Sequence, residues 1–303
     1  MTAAFIFPGQ GSQRPGMGEP WVADPGWSLV ERAGDVLGRD LERLLLDADD
    51  EELRSTQNAQ VSTYLVSLLA WQAVLPQDVA VVAGHSLGEL TALVAGGVLT
   101  SHDGLDLVVA RGKAMLAATE AAPGAMAAVL GLADAEVERV CAGIEQVWPA
   151  NFNAPEHVVI SGTVAGVEAA SATCREAGAR RVLPLPVGGA FHTPLMAPAR
   201  KTLDVAVASV PYARPEVPVL SAVDALPYRD DPRSAAATLS RQLTAPVRWR
   251  QVLEALPAYG VDTVVELGPG GVLTALVKRT LPGMRAVSVA APADVEQLRR
   301  SRT

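Results

Sequence analysis

The chain has 303 residues, 49% of them hydrophobic, and a formal net charge of -8. That is ample apolar material for one large core or two unequal lobes, and the acidic balance argues against wholesale binding to nucleic acid or to an anionic membrane. No N-terminal signal or apolar run of transmembrane length stands out, since Phe5-Ile6-Phe7 is cut off at once by Pro8-Gly9, so a soluble cytoplasmic protein is expected.

Ala3–Phe7 reads as a first strand, ended by the glycine-rich stretch Pro8–Gln13. With no phosphate-loop lysine this is not a nucleotide cradle. Its backbone N–H groups either simply exit the strand or face a developing negative charge. Helical patterns follow over Trp27–Leu37 and Leu41–Leu46. Thr56–Gln60 then leads into Val61–Val74, a helix apolar on several faces and so expected to lie between other elements.

Val79–Ala83 is a short apolar run of the kind found in buried parallel strands. It ends in Gly84-His85-Ser86-Leu87-Gly88, a G-x-S-x-G pattern, and passes into an Ala/Leu-rich helix. Glycines two residues either side of a serine permit a turn too tight for side chains. The serine hydroxyl is left exposed on a strained corner with a helix N-terminus aimed at it, which is the geometry of a nucleophile elbow. Ser101-His102-Asp103 offers an N-cap for a long helix from His102 to Glu120, which carries Arg111 among apolar neighbours.

At Pro123-Gly124 the texture changes. Strand-like Ala125–Leu132, Val147–Ala150, Val158–Ser161 and Arg181–Leu185 alternate with helical Asp134–Ile144 and Val164–Ala177. The order β-α-β-β-α-β predicts a ferredoxin-like small subdomain at 123–189. It is inserted in a larger α/β-hydrolase-like subdomain made of 1–122 and 190–303. In that larger part a strand is expected over Val217–Val223, with helices over Ser234–Leu243 and Val247–Tyr259. Thr263–Leu267 is a further strand, and Val272–Thr280 a helix after Gly268-Pro269-Gly270-Gly271. Alternating strands and helices of these lengths predict a mostly parallel sheet covered on both faces. Cys141 and Cys174 fall in helical patterns and read as plain thiols without metal-ligand spacing.

A serine nucleophile needs a base within hydrogen-bond reach, usually histidine. Of the 4 histidines, His85 adjoins Ser86 on a sharp turn and points away, as a structural or rim group. His102 is a capping-loop residue, and His157 precedes a strand of the small lobe. His192, on the glycine turn Gly188–Pro194 re-entering the main sheet, is left as the base. No acid declares itself as a third member. Asp224 and Glu266 are generic candidates, Glu266 with the alternative of bracing the loop after it, and a backbone carbonyl can orient an imidazole instead. Arg111 either snorkels to solvent or holds a carboxylate in a bidentate pair that lysine does not match.

These residues resemble the malonyl-CoA:acyl carrier protein transacylases and the acyltransferase domains of polyketide synthases. Phe7–Gln13 is similar to the family's N-terminal signature, and Gly84–Glu89 to its nucleophile motif. Arg111-Gly112-Lys113 stands where the family has its carboxylate-binding arginine, and Ala190–Met196 resembles its histidine motif. Gln242-Leu243, Pro246–Trp249 and Glu266–Gly270 match its C-terminal signatures, so the resemblance runs from Phe5 to Arg279.

It implies a ping-pong acyl transfer. Ser86 attacks an acyl-CoA thioester with His192 as base, and the backbone N–H groups of Gln10 and Leu87 form the oxyanion hole. The main-chain carbonyl of Gln242 orients His192, and Arg111 holds the malonyl carboxylate. The acceptor is the phosphopantetheine thiol of an acyl carrier protein, in fatty-acid or polyketide biosynthesis, with no metal or redox cofactor. The enzyme is expected to be a free-standing monomer. Arg248, Arg250, Lys278, Arg279, Arg180 and Arg181 are candidates for docking the acidic carrier. Asn58-Ala59-Gln60-Val61 departs from the family's proline-containing version, and Gly188-Gly189 stand where many relatives carry a serine or a bulkier residue. Ala190-Phe191-His192 resembles malonyl-selecting members. The competing readings are a transferase moving larger acyl groups between carrier proteins, an editing hydrolase on the same elbow, and an idle carrier-binding subunit.

Overall fold

The computed structural model describes residues 2–74 and 79–300; Met1, 75–78 and 301–303, which the expected subdomain ranges include, lie outside the described residues. The chain begins with strand β1 (Ala3–Phe7), helices α1 (Ser28–Leu37), α2 (Leu41–Leu46), α3 (Asp50–Arg54) and α4 (Thr56–Val74), and strand β2 (Val79–Gly84). Helices α5 (Gly88–Ala95) and α6 (Ser101–Ala121) follow. Next come β3 (Gly124–Leu130), α7 (Asp134–Ala142), β4 (Val147–Ala154), β5 (His157–Thr163), α8 (Val164–Glu176) and β6 (Arg181–Pro184). The chain then runs through α9 (Ala197–Ser209), β7 (Val219–Leu220), α10 (Pro232–Arg241) and α11 (Trp249–Ala255). It closes with β8 (Thr263–Leu267), α12 (Val272–Thr280), β9 (Arg285–Val289) and α13 (Pro292–Arg300).

Five strands form a parallel sheet in the order β7-β2-β1-β8-β9. All five residues of β1 are buried. Alternation sends Ala3, Phe5 and Phe7 into one core and Ala4 and Ile6 into the other, which is why such a central strand reads as an unbroken apolar run. Helix α4 is buried on nearly every face, as its all-round apolarity predicts. No helix among the described residues is long and apolar enough to cross a membrane.

The second sheet is antiparallel, in the order β4-β5-β3-β6. Its α7 and α8 cover a separate apolar core that includes Cys141 and Cys174, both buried and free. This is the β-α-β-β-α-β unit with its first strand between the third and fourth, the split-βαβ arrangement. Strand β4 joins the two lobes, because Val247 donates to Ala150 O and accepts from Phe152 N, each at 2.8 Å.

Several local expectations change. The strand foreseen at Val217–Val223 is only Val219–Leu220. Pro218 lacks an N–H, and Ser221 opens a turn in which its N–H donates to Leu226 O and its hydroxyl accepts from Val223 N. Helix α6 is capped by Thr100, whose Oγ1 accepts from Asp103 N at 3.1 Å, so Ser101 and His102 are already helical. Helix α4 starts at Thr56, not at Val61. Val247 is taken by the bridge to β4, so α11 begins at Trp249. Strand β4 runs on to Ala154 because Asn151, Phe152 and Ala154 remain paired with Val159, Val158 and His157 of β5. Strand β9 and helix α13 were not foreseen.

Candidate active site

The register of β1 and β2 pairs Phe7 with Gly84, so the loops after both strands leave the carboxyl edge of the sheet together. That edge is where open α/β sheets form their clefts. His85 N continues the ladder by donating to Phe7 O at 2.9 Å, and the chain then turns through Ser86 at φ 53° into α5. A β-carbon on Gly88 would stand 2.1 Å from Phe7 O, and one on Gly84 would stand 1.9 Å from Gly88 C. The two glycines are what lets the helix leave the strand so abruptly. The left-handed conformation of a non-glycine residue is the strained corner that the G-x-S-x-G pattern predicts.

His192 occupies a second corner, at φ 60° and 5% exposed. The next residue steadies it: Thr193 Oγ1 donates to Ala190 O and caps the short turn Pro194–Met196. His192 Nε2 lies 2.7 Å from Ser86 Oγ, and Nδ1 lies 3.0 Å from the main-chain O of Gln242. Gln242 is the C-cap of α10, a position whose carbonyl lacks an intrahelical partner and is free to accept. A carbonyl can only accept, so Nδ1 carries the proton and the Nε2 lone pair faces the serine hydroxyl. Burial, and then the charge of Arg111, push the imidazole down to about 3, against the opposing pull of the Gln242 carbonyl. The ring is therefore neutral at ordinary pH.

Arg111 does not snorkel. It is 1% exposed, and its Nη2 donates to Ser86 Oγ at 2.9 Å and to Gln242 Oε1 at 3.2 Å, while Nε has no partner. Among the described residues no carboxylate stands at ion-pair distance from it. Burial lowers its pKa to about 10, with Glu89 acting in the other direction. A buried guanidinium with an idle N–H and no direct counter-ion is costly unless something anionic comes to it.

The cavity in front of Ser86 holds about 220 Å³. Gln10, Arg111, Met115, Phe191 and His192 line the end contributed by the large lobe. Asn151, Asn153, His157 and Val159 of β4 and β5 form a wall from the small lobe, and Leu273 and Leu276 of α12 form another. Gln10 sits in the loop after β1, and Leu87 is the N-cap of α5, so a helix N-terminus begins next to the serine.

Sequence reasoning brought Ser86, His192, Arg111, Gln10, Leu87 and Gln242 to this one place, but it missed others. His85 is not one of these: expected as a structural or rim group, it lines the cavity, with Nε2 2.8 Å from Asn153 Oδ1 and its ring edge-on to Trp249. His157, passed over as a strand flank, also lines the cavity. Glu89, inside the nucleophile motif, is fully buried. It accepts from Tyr228 Oη at 2.7 Å, from Ala222 N at 3.2 Å and from Gln242 Nε2 at 2.5 Å. No local pattern marks Tyr228, because it meets Glu89 only through the tertiary fold.

Neither acid weighed as a third member serves His192. Glu266 accepts from the backbone N–H groups of Gly271, Leu273 and Thr274, so it braces the start of α12. Asp224 pairs with Arg241 at 3.3 Å. Two of the proposed docking cations are already engaged: Arg250 with Asp134 and Glu254, and Arg279 with the carbonyls of Pro155 and Glu156.

A parallel α/β sheet with a strand–turn–helix serine at its carboxyl edge, faced by a histidine and a buried arginine, defines an α/β-hydrolase-like enzyme. The acyl transferase domain family matches residues 4–299, and the chain belongs to that family. It is 40% identical over 300 residues to the malonyl CoA-acyl carrier protein transacylase of Salmonella typhimurium, covering 96% of each chain. The acyl-carrier-protein S-malonyltransferase structure from Burkholderia pseudomallei superposes with a TM-score of 0.95 at 39% identity, over 99% of this chain and 100% of that one. A type II polyketide synthase acyl carrier protein complexed with its malonyl-transacylase gives a TM-score of 0.95 at 36% identity, again over 99% and 100%.

Proposed function

We propose that this acyltransferase moves a malonyl group from coenzyme A to the phosphopantetheine thiol of an acyl carrier protein, in fatty-acid or polyketide synthesis. The observation that carries the reading is Arg111, a buried guanidinium beside Ser86 Oγ with an unpaired Nε and no carboxylate at ion-pair distance among the described residues. A malonyl carboxylate is the missing partner, and a planar fork suits it in a way a point charge does not. The full-length relatives named for malonyl transfer, and the relative solved with its carrier protein, support the same substrate and acceptor.

With the carboxylate on Arg111, the thioester carbon comes to Ser86. As Oγ attacks, its proton passes to the Nε2 lone pair of His192, and the Gln242 carbonyl steadies the Nδ1–H of the imidazolium. The tetrahedral oxyanion is met by the backbone N–H groups of Gln10 and Leu87; one such donor contributes ~3–4 kcal/mol where it has been removed by mutation. Collapse breaks the C–S bond, and the proton returns to the departing sulfur. The pantetheine thiol then gives its proton to Nε2 and attacks the acyl-serine carbon, and the C–O bond breaks as Ser86 is reprotonated. No step requires a metal or redox cofactor. The enzyme acts as a cytoplasmic monomer, with 123–189 as a small subdomain that closes one wall of the cavity.

The test is intact-mass loading from malonyl-CoA and acetyl-CoA, followed by addition of a holo carrier protein. The parent loads malonyl and surrenders it to the carrier thiol. Arg111→Ala loses malonyl loading and accepts acetyl better. A variant that loaded malonyl like the parent, or an acyl-enzyme that went to water and not to the carrier, would overturn the proposal.

A further inference from the structure

The hydrogen bonds around Gln242 form a relay that reaches beyond the reacting residues. Its amide nitrogen donates to Ser86 O at 2.9 Å and to Glu89 Oε2, so both amide hydrogens are used. Its amide oxygen accepts from Arg111 Nη2, and its main-chain oxygen faces His192 Nδ1. One residue thus touches the serine, the histidine and the arginine, but a terminal amide can rotate by half a turn and exchange its oxygen and nitrogen. In the exchanged orientation an NH2 group would face the Arg111 guanidinium, donor against donor, and the arginine would lose a support.

The main-chain oxygen of Ser86 and Glu89 both favour the observed orientation, and of these two acceptors only Glu89 can change its protonation. A carboxylate only accepts, so it demands the NH2 end of Gln242 and leaves the oxygen for Arg111. A protonated acid could instead donate to the amide oxygen and favour the exchange. Burial pushes the Glu89 carboxyl up, while Gln242, Tyr228, Ser221 and the Ala222 backbone pull it back. Of these, the Tyr228 hydroxyl and Ala222 N–H both sit on Oε1. Tyr228 is buried in the segment after β7 and does not itself line the cavity.

We propose that Tyr228 and Glu89 are a positioning pair. By holding a carboxylate against Gln242 they fix its amide with the oxygen toward Arg111, and so set the preference of the pocket for a carboxylated acyl group. This rests on the reading that Arg111 receives the malonyl carboxylate. Tyr228→Phe keeps the ring and removes one hydroxyl donor, and Arg111 then has a less fixed partner.

The experiment measures acyl loading of the full chain from malonyl-CoA and from acetyl-CoA, in the parent, Tyr228→Phe and Arg111→Ala. Tyr228→Phe is expected to lower the malonyl-over-acetyl ratio of kcat/KM about fivefold to tenfold, less than the full weight of one hydrogen bond to a charged group because the loss reaches Arg111 only through Glu89 and Gln242. The change should appear chiefly in the malonyl-CoA KM. Glu89→Gln, which can present either end to Gln242, should lower the ratio further. If Tyr228→Phe slowed both substrates alike, or left the ratio at the parental value while Arg111→Ala abolished it, the positioning role would be wrong and the arginine reading would stand. If Arg111→Ala kept the ratio too, the arginine reading itself would fail.

Discussion

The two corners that bring the reacting pair together are built differently. Ser86 and His192 share a left-handed backbone, at φ 53° and φ 60°. The serine corner is shaped by steric clearance at its two flanking glycines: Gly84 clears backbone atoms of the same turn, and Gly88 clears the Phe7 carbonyl of the adjacent strand β1. The histidine corner is held from a distance, through Nδ1 to a carbonyl 50 positions on and through Thr193 at its flank. A clearance written as two glycines flanking one serine is legible as a motif, whereas a hold by a distant carbonyl needs the fold.

The comparison breaks most sharply at the serine. Ser86→Ala is expected to remove the acyl-enzyme altogether, roughly a millionfold loss of turnover; an adduct persisting in its intact mass would place the nucleophile elsewhere. His192→Ala should leave Ser86 able to react slowly, about a thousandfold below the parent in single-turnover loading. A loss under tenfold would mean that another group takes the proton.

The glycines separate the two corners by stability. Gly88→Ala drives a β-carbon into the Phe7 carbonyl, and is expected to cost about 3 kcal/mol and lower the melting temperature. At Gly189 the added carbon would meet side-chain atoms of Phe191 and Thr119 and no backbone atom among its nearest three, so Gly189→Ala should melt closer to the parent. Equal melting temperatures for the two variants would remove the distinction between a corner shaped by glycine clearance and one held by a distant carbonyl.

The smallest expected effect is on pH dependence. His192 is pushed down to about 3 and His157 to about 4, both chiefly by burial, from an ordinary 6.5. Between those values and 6.5 the unfolded chain binds protons that the folded chain refuses, so stability falls as pH is lowered through that window. Glu89, raised by burial, acts in the opposite sense, its contribution being full below the unfolded carboxyl value of 4.5 and lost as pH rises through its folded value. Single-turnover acylation should therefore show no loss of base near pH 6.5, and an acid limb there would mean that His192 is less buried in solution than its geometry indicates.

The sequence by itself determined the elements whose cause is local. Strand β1, the elbow, β8 and α12 follow from apolar runs, glycine turns and helix periodicity, and the βαββαβ order of the second sheet follows from the alternation of those patterns. Excluding the other histidines pointed to His192, and the family resemblance assigned Gln10, Leu87 and the Gln242 carbonyl. Only the tertiary structure decided how these groups meet. It made Glu266 a helix brace, ended the strand at Leu220, and buried Arg111 beside Ser86. It also joined Glu89 to Tyr228 across 139 positions. The physical reason is range: steric and propensity signals act over a few residues, whereas a buried charge takes its meaning from partners that only the packed sheet brings within hydrogen-bond reach.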